Sequence, residues 1–183
     1  MRINNKKGFT QHHFSKNKKS GAGFTLIDTL IYAAILSMTM GSIMLVVYNI
    51  IEGRYRALAR IEVEEEANFL MRKIDWALTG VSSITQPAPG ATTSVLTVQK
   101  INFPTNPITI QSSSTNAAIS YGGGSQTVLN SDSVIVRSLA FQGLPTTTPG
   151  VAVTLSLEFK PREQLTIVNA STTLTTTIYV RTQ

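Results

Sequence analysis

Residues 21–31 read GAGFTLIDTLI, and the one carboxylate in this stretch, Asp28, decides how the rest of the chain is read. From Phe24 to Ile51 every other side chain is apolar, small or uncharged and polar. These 28 residues (FTLIDTLIYAAILSMTMGSIMLVVYNII) exceed the roughly 20 that a helix needs to cross a bilayer. They are too long for the apolar region of a secretory signal, and no small-residue cleavage site closes them. A carboxylate placed in such a helix costs about 2.5–3.5 kcal/mol at mid-depth and less near an interface, so Asp28 calls for a compensating partner.

The charge is unevenly placed. Of the 183 residues, 1–23 carry Arg2, Lys6, Lys7, Lys16, Lys18 and Lys19 and no acid, which accounts for the whole net charge of +6. The other 160 residues balance ten Lys and Arg against ten Asp and Glu. Total charge therefore gives no support to a nucleic-acid partner, which needs basic residues gathered on the folded surface. The basic leader predicts, by the positive-inside rule, a single-pass protein of the cytoplasmic membrane with its N-terminus inside and its C-terminal domain exported. Arg54 and Arg56 beyond the span oppose this orientation more weakly. There is no cysteine, which excludes disulfides and thiolate-bound metal.

The helix is expected to continue past the membrane. No proline occurs between Phe24 and Pro87, and Val63, Ala67, Leu70, Ile74, Ala77 and Val81 recur at spacings of four and three, one apolar stripe. Arg60 and Glu64 form an i,i+4 pair on the solvated side. Gly80 suits a left-handed cap. A helix from Phe24 to Thr79 would run about 84 Å. After Gly80, ITQPAPGATTS reads as a turn-rich linker, followed by strands with alternating patterns. Val151–Phe159 is the clearest, with Ser94–Lys100, Ile108–Gln111, Val134–Phe141 and the Leu174–Val180 region beside it. The fold class is α+β, a mostly antiparallel sheet laid on the outer half of the long helix. The domain reading is 1–23 basic leader, 24–51 membrane half of the helix, 52–80 outer half, and 81–183 exported β-rich domain.

A basic leader, a glycine, a phenylalanine and an apolar helix with an early acid together resemble the N-terminus of type IV pilins and type II secretion pseudopilins. The family form G-F-T-L-[IV]-E stands here as Gly23-Phe24-Thr25-Leu26-Ile27-Asp28, with aspartate one methylene shorter than the usual glutamate. The resemblance implies a type IV pilin-like fold and cleavage between Gly23 and Phe24 by a prepilin peptidase. It also implies N-methylation of Phe24, and pairing of the Asp28 carboxylate with the amino terminus of a neighbouring subunit during assembly. The implied partners are the peptidase, other pilin or pseudopilin subunits, the inner-membrane assembly platform and the lipid bilayer. The TTTIYVRTQ ending and SDSVIVRSLAFQ are similar to strands of minor pseudopilins of the J type. The absence of cysteine, and of an acidic cluster beyond Gly80, points to a minor rather than a bulk subunit of a pilus or secretion filament.

Ser131-Asp132-Ser133 reads as a turn and not a calcium loop, since calcium needs several converging oxygens. Glu62, Glu64, Glu65 and Glu66 read as a solvated helix face. His12 and His13 fall in the leader, as does a second GFT at 8–10, so no histidine remains in the processed chain. No enzymatic activity, cofactor or metal is expected from these residues. The alternative is a membrane-anchored exported binding module for DNA, sugar or a surface. It would draw on Lys100, Arg137, Lys160, Arg162 and Arg181, with Trp76 read as packing rather than as a ligand platform.

Overall fold

The computed structural model describes residues 23–145, 149–160 and 170–180. Residues 1–22 of the leader, with His12, His13 and the second GFT, lie outside the described residues, as do Arg162 and Arg181. Two compact units divide between Val46 and Val47, and each is described by itself.

One helix, α1, runs from Leu26 to Leu78. In its first unit the apolar side chains are exposed, and nothing is buried in its most apolar 18-residue window. The helix is long and apolar enough to span a membrane. Its polar residues satisfy themselves locally. The hydroxyls of Thr29, Ser37, Thr39 and Ser42 donate to the carbonyls of Leu26, Ala34, Leu36 and Thr39 at 2.7–2.9 Å. Such back-bonding satisfies these hydroxyls within the helix, without a partner from elsewhere in the chain.

In the second unit the helix buries Ala59, Val63, Ala67, Leu70, Ile74, Ala77 and Leu78. These positions are the predicted stripe with Ala59 and Leu78 added; its last predicted member, Val81, is buried as the first residue of a strand. The helix ends where expected, with Gly80 at φ 69°, a backbone region that residues bearing a Cβ rarely enter. Arg60 and Glu64 pair at 2.9 Å on the exposed side.

Among the described residues nine strands follow: β1 (Val81–Gln86), β2 (Thr92–Thr93), β3 (Val95–Lys100), β4 (Ile108–Ser113), β5 (Asn116–Tyr121), β6 (Thr127–Val128), β7 (Val134–Gly143), β8 (Gly150–Phe159) and β9 (Ser171–Tyr179). They form two antiparallel sheets rather than one, ordered β1-β3-β4-β5-β6 and β2-β7-β8-β9. The five anticipated strands correspond to β3, β4, β7, β8 and β9. Two longer ones depart from expectation. VSSITQ is strand β1, so the linker begins only after Gln86. NAAISY forms β5 with four consecutive buried residues, so it shows no alternation.

The inner faces of both sheets join the helix stripe in one core, with Phe141, Leu96, Ile108, Ile110, Leu155 and Leu157 fully buried. Along β7 the apolar positions change parity, from Val134 and Val136 to Leu139 and Phe141. The ladder accommodates this with a β-bulge: Val136 pairs Leu157 and Ser138 pairs Ser156, leaving Arg137 as the extra residue. Buried Asn130 ties the sheets together. Its Oδ1 accepts from Ala117 N–H of β5 at 2.8 Å and its amide donates to the Val134 carbonyl of β7 at 2.8 Å.

Leu70→Ala is expected to destabilise the second unit by about 2–5 kcal/mol, because it empties the centre of the stripe. Ile61→Ala, on the exposed side, should change stability by less than about 0.5 kcal/mol. The fluorescence of the chain's single tryptophan during denaturant unfolding in detergent measures both.

Candidate functional site

The residues singled out by sequence fall in three separate places. The first is the start of α1. Gly23, Phe24 and Thr25 precede the helix, and all three are exposed. A Cβ built at Gly23 would meet nothing within 4 Å, so neither folding nor packing demands a glycine there. The phenyl ring of Phe24 stacks obliquely on Tyr32, two helical turns further on, at 5.7 Å between centroids.

Thr25 and Asp28 bind each other reciprocally. The Thr25 N–H and hydroxyl donate to Asp28 Oδ2 at 3.0 and 2.7 Å, and the Asp28 N–H lies 3.3 Å from Thr25 Oγ1. This is a capping box, in which Thr25 caps the helix and the acid three residues on returns to the cap's own amide. The reading of Asp28 as an assembly contact misses this local role. A signal for it is present in the sequence, since Thr-x-x-Asp before an apolar run is a capping-box pattern. Both local bonds go to Oδ2; among the described residues Oδ1 has no hydrogen-bond donor.

The second place is the C-terminal end of α1, where Trp76, 36% exposed, meets the loop after β3. Phe103 and Tyr121 approach it edge-on, with centroids at 5.9 and 6.5 Å. Asn106 shapes that loop by accepting from Lys100 N–H at 2.9 Å and donating to the Lys100 and Phe103 carbonyls. Lys100 Nζ sits 4.1 Å from the indole centroid and donates to the Trp76 carbonyl at 2.7 Å, while Lys73 Nζ is 4.9 Å from the same ring. Partial burial holds the Lys100 ammonium below the usual lysine range. A cation over an indole and on a C-terminal helix carbonyl is favourable on both counts. Trp76 stands outside the buried core, with Phe103 and Tyr121 at its edges and two lysines near its ring.

The third place is the outer surface of the second sheet. Arg137 on the bulge forms an ion pair with Glu158 of β8. The guanidinium hydrogen bond holds the Glu158 carboxyl below its ordinary value, and Glu158 in turn raises Arg137. Lys100 and Arg137 therefore stand on different sheets with different partners and do not converge.

Two further side-chain groups differ in outcome. Ser131–Ser133 forms a turn, with the Val134 N–H donating to the Ser131 carbonyl at 3.3 Å. Glu66 belongs to more than a solvated face, because its Oε1 accepts from the Ser131 N–H at 2.7 Å and pins that turn to the helix. An apolar cleft of about 250 Å³ between β1 and the β7–β8 end is lined by Val81, Ile84, Pro87, Leu144, Pro149 and Val180, and among the described residues none that lines it is charged. The chain matches no protein-family model, no curated protein and no solved structure.

Because the folded state lowers the Glu158 pKa, the pair's contribution is present above the ordinary value near 4.5 and disappears as pH falls through the lowered folded value. The stability difference between the native chain and Glu158→Gln should thus be constant at neutral pH and shrink below about pH 4.5. Urea midpoints across pH 3–7 check this; a difference that grows on acidification would contradict the pairing.

Proposed function

We propose that this chain is a minor pilin or pseudopilin, a structural rather than catalytic subunit. It would be processed after Gly23 and assembled through α1 into a type IV pilus or type II secretion-like filament. The observation that carries the reading is the ordered run Gly23-Phe24-Thr25-Leu26-Ile27-Asp28 at the head of an exposed apolar helix. An antiparallel α+β unit whose core includes the later part of that helix supports it. In this account the prepilin peptidase cuts the exposed Gly23–Phe24 bond, and the new amino terminus of Phe24 is methylated. Oδ1 of Asp28 then takes the amino terminus of a neighbouring subunit while Oδ2 keeps its cap on Thr25. One carboxylate can serve both because it has two oxygens and about four lone-pair sites. The subunit sits in the cytoplasmic membrane with its C-terminal domain exported until assembly draws it out.

The terminal peptide of the membrane-bound protein, read by mass spectrometry with and without the peptidase, is the deciding test. A methylated Phe24 terminus that depends on the peptidase supports the reading. Retention of residues 1–23 in both strains favours the anchored binding module. Gly23→Leu should abolish processing without disturbing the fold, because the site has open space for a side chain. A mature-length product from that variant would move the cut elsewhere.

Asp28→Ala should leave membrane insertion intact and sharply reduce filament number. Thr25→Val removes the hydroxyl donor but keeps the carboxylate, and should reduce filaments far less. Equal losses counted by electron microscopy would assign Asp28 to the cap alone.

A further inference from the structure

Among the described residues the two sheets have four edges, and three of them are blunted. Strands β2 and β6 are two residues long. Strand β1 is broken by two register shifts and followed by Pro87. Short strands, bulges and proline are the usual protections against edge-to-edge pairing. Strand β9 has none of them: STTLTTTIY runs nine residues beside β8 without a register shift, and contains no charge and no proline. Among the described residues no strand pairs with its other side.

The direction of its free hydrogen-bonding groups follows from the ladder. Bonds from Phe159 N–H to the Ala170 carbonyl and from Val180 N–H to the Pro149 carbonyl mark both ends, in a constant register. Antiparallel pairs alternate between bonded and non-bonded, so even-numbered residues of β9 bond β8. The N–H and C=O of Ser171, Thr173, Thr175, Thr177 and Tyr179 therefore point away from the sheet, and the side chains of these same five residues are exposed.

We propose that this edge is an interaction surface whose occupant is β9 of a second copy of the chain, paired antiparallel about Thr175. In that register Thr175 faces its own counterpart, Thr173 faces Thr177 and Ser171 faces Tyr179, so every outward-pointing residue meets another. Thr–Thr pairs are favourable across strands, and no like charges are opposed. The contact is isologous and closes on itself as a two-fold dimer that extends the sheet. A second copy supplies a strand of matching length, uncharged and rich in β-branched residues, with the complementary edge free among the described residues.

The chain's lack of cysteine makes the test clean. Full-length Thr175→Cys in native membranes should form a disulfide dimer on mild oxidation. Directly bonded antiparallel residues lie about 5.5 Å apart at Cα, within disulfide range. Gln99→Cys, exposed on β3, reports random collision and should give several-fold less dimer. Adding Thr173→Lys with Thr177→Lys to the Thr175→Cys chain sets like charges opposite each other and should abolish the dimer. Adding Thr173→Lys with Thr177→Glu sets opposite charges across the pair and should retain it. Both charge variants lose the Thr173–Ser156 hydroxyl bond alike, so their comparison isolates cross-strand charge. Three results would overturn the proposal: equal dimer yields from the Thr175→Cys and Gln99→Cys chains, equal yields from the two charge variants, or a disulfide joining the Thr175→Cys chain to a different polypeptide. The readout requires neither cleavage at Gly23 nor a filament.

Discussion

One helix face organises the second unit. From Val63 to Leu78 the buried positions of α1 face a core to which both sheets contribute. Two of these positions, Ala67 and Ala77, are completely buried alanines, and Leu70 and Ile74 are among the largest side chains the stripe buries fully. Such interiors are packed to crystal-like density, so the size of each residue in the stripe matters as much as its polarity. Everything else in the unit has to present apolar side chains to that stripe, and the irregularities of the sheets are best understood as ways of doing so.

The bulge at Arg137 is the clearest case. Without an extra residue, Leu139 and Phe141 would point away from the core, since each step along a strand reverses the side. The bulge restores both to the interior, where Phe141 is fully buried, and exposes Arg137 beside Glu158. Asn130 solves a related problem. A side chain that both accepts from β5 and donates to β7 satisfies backbone groups where the two sheets meet. In the first unit the same accounting is done without tertiary contacts, through hydroxyls that bond the preceding turn and through the Thr25–Asp28 capping box.

The head of α1 and the edge strand β9 handle unpaired polar groups in opposite ways. At the head of α1 the N–H groups of Thr25 and Asp28 are met by the two side chains of the capping box. Along β9 the outward groups of five residues remain unpaired among the described residues, on the one long strand edge with no device to discourage pairing.

The helix, its caps and its buried face were determined by the sequence itself, because a 3.6-residue period and the glycine at its end are local properties that need no partner to be read. The alternating strands β3, β4, β8 and β9 were legible for the same reason. What only tertiary structure decided were features that depend on neighbours. NAAISY carries no period, and its burial as β5 comes from the elements that enclose it. VSSITQ becomes β1 because β3 supplies its ladder. The division into two sheets, the pairing of Glu66 with a turn 65 residues away, and the separation of Lys100 from Arg137 are set by long-range packing. Asp28 lies between these cases: its chemistry was visible in the sequence, and its hydrogen bond to Thr25 was encoded only three residues away, but geometry was needed to show which oxygen that bond uses.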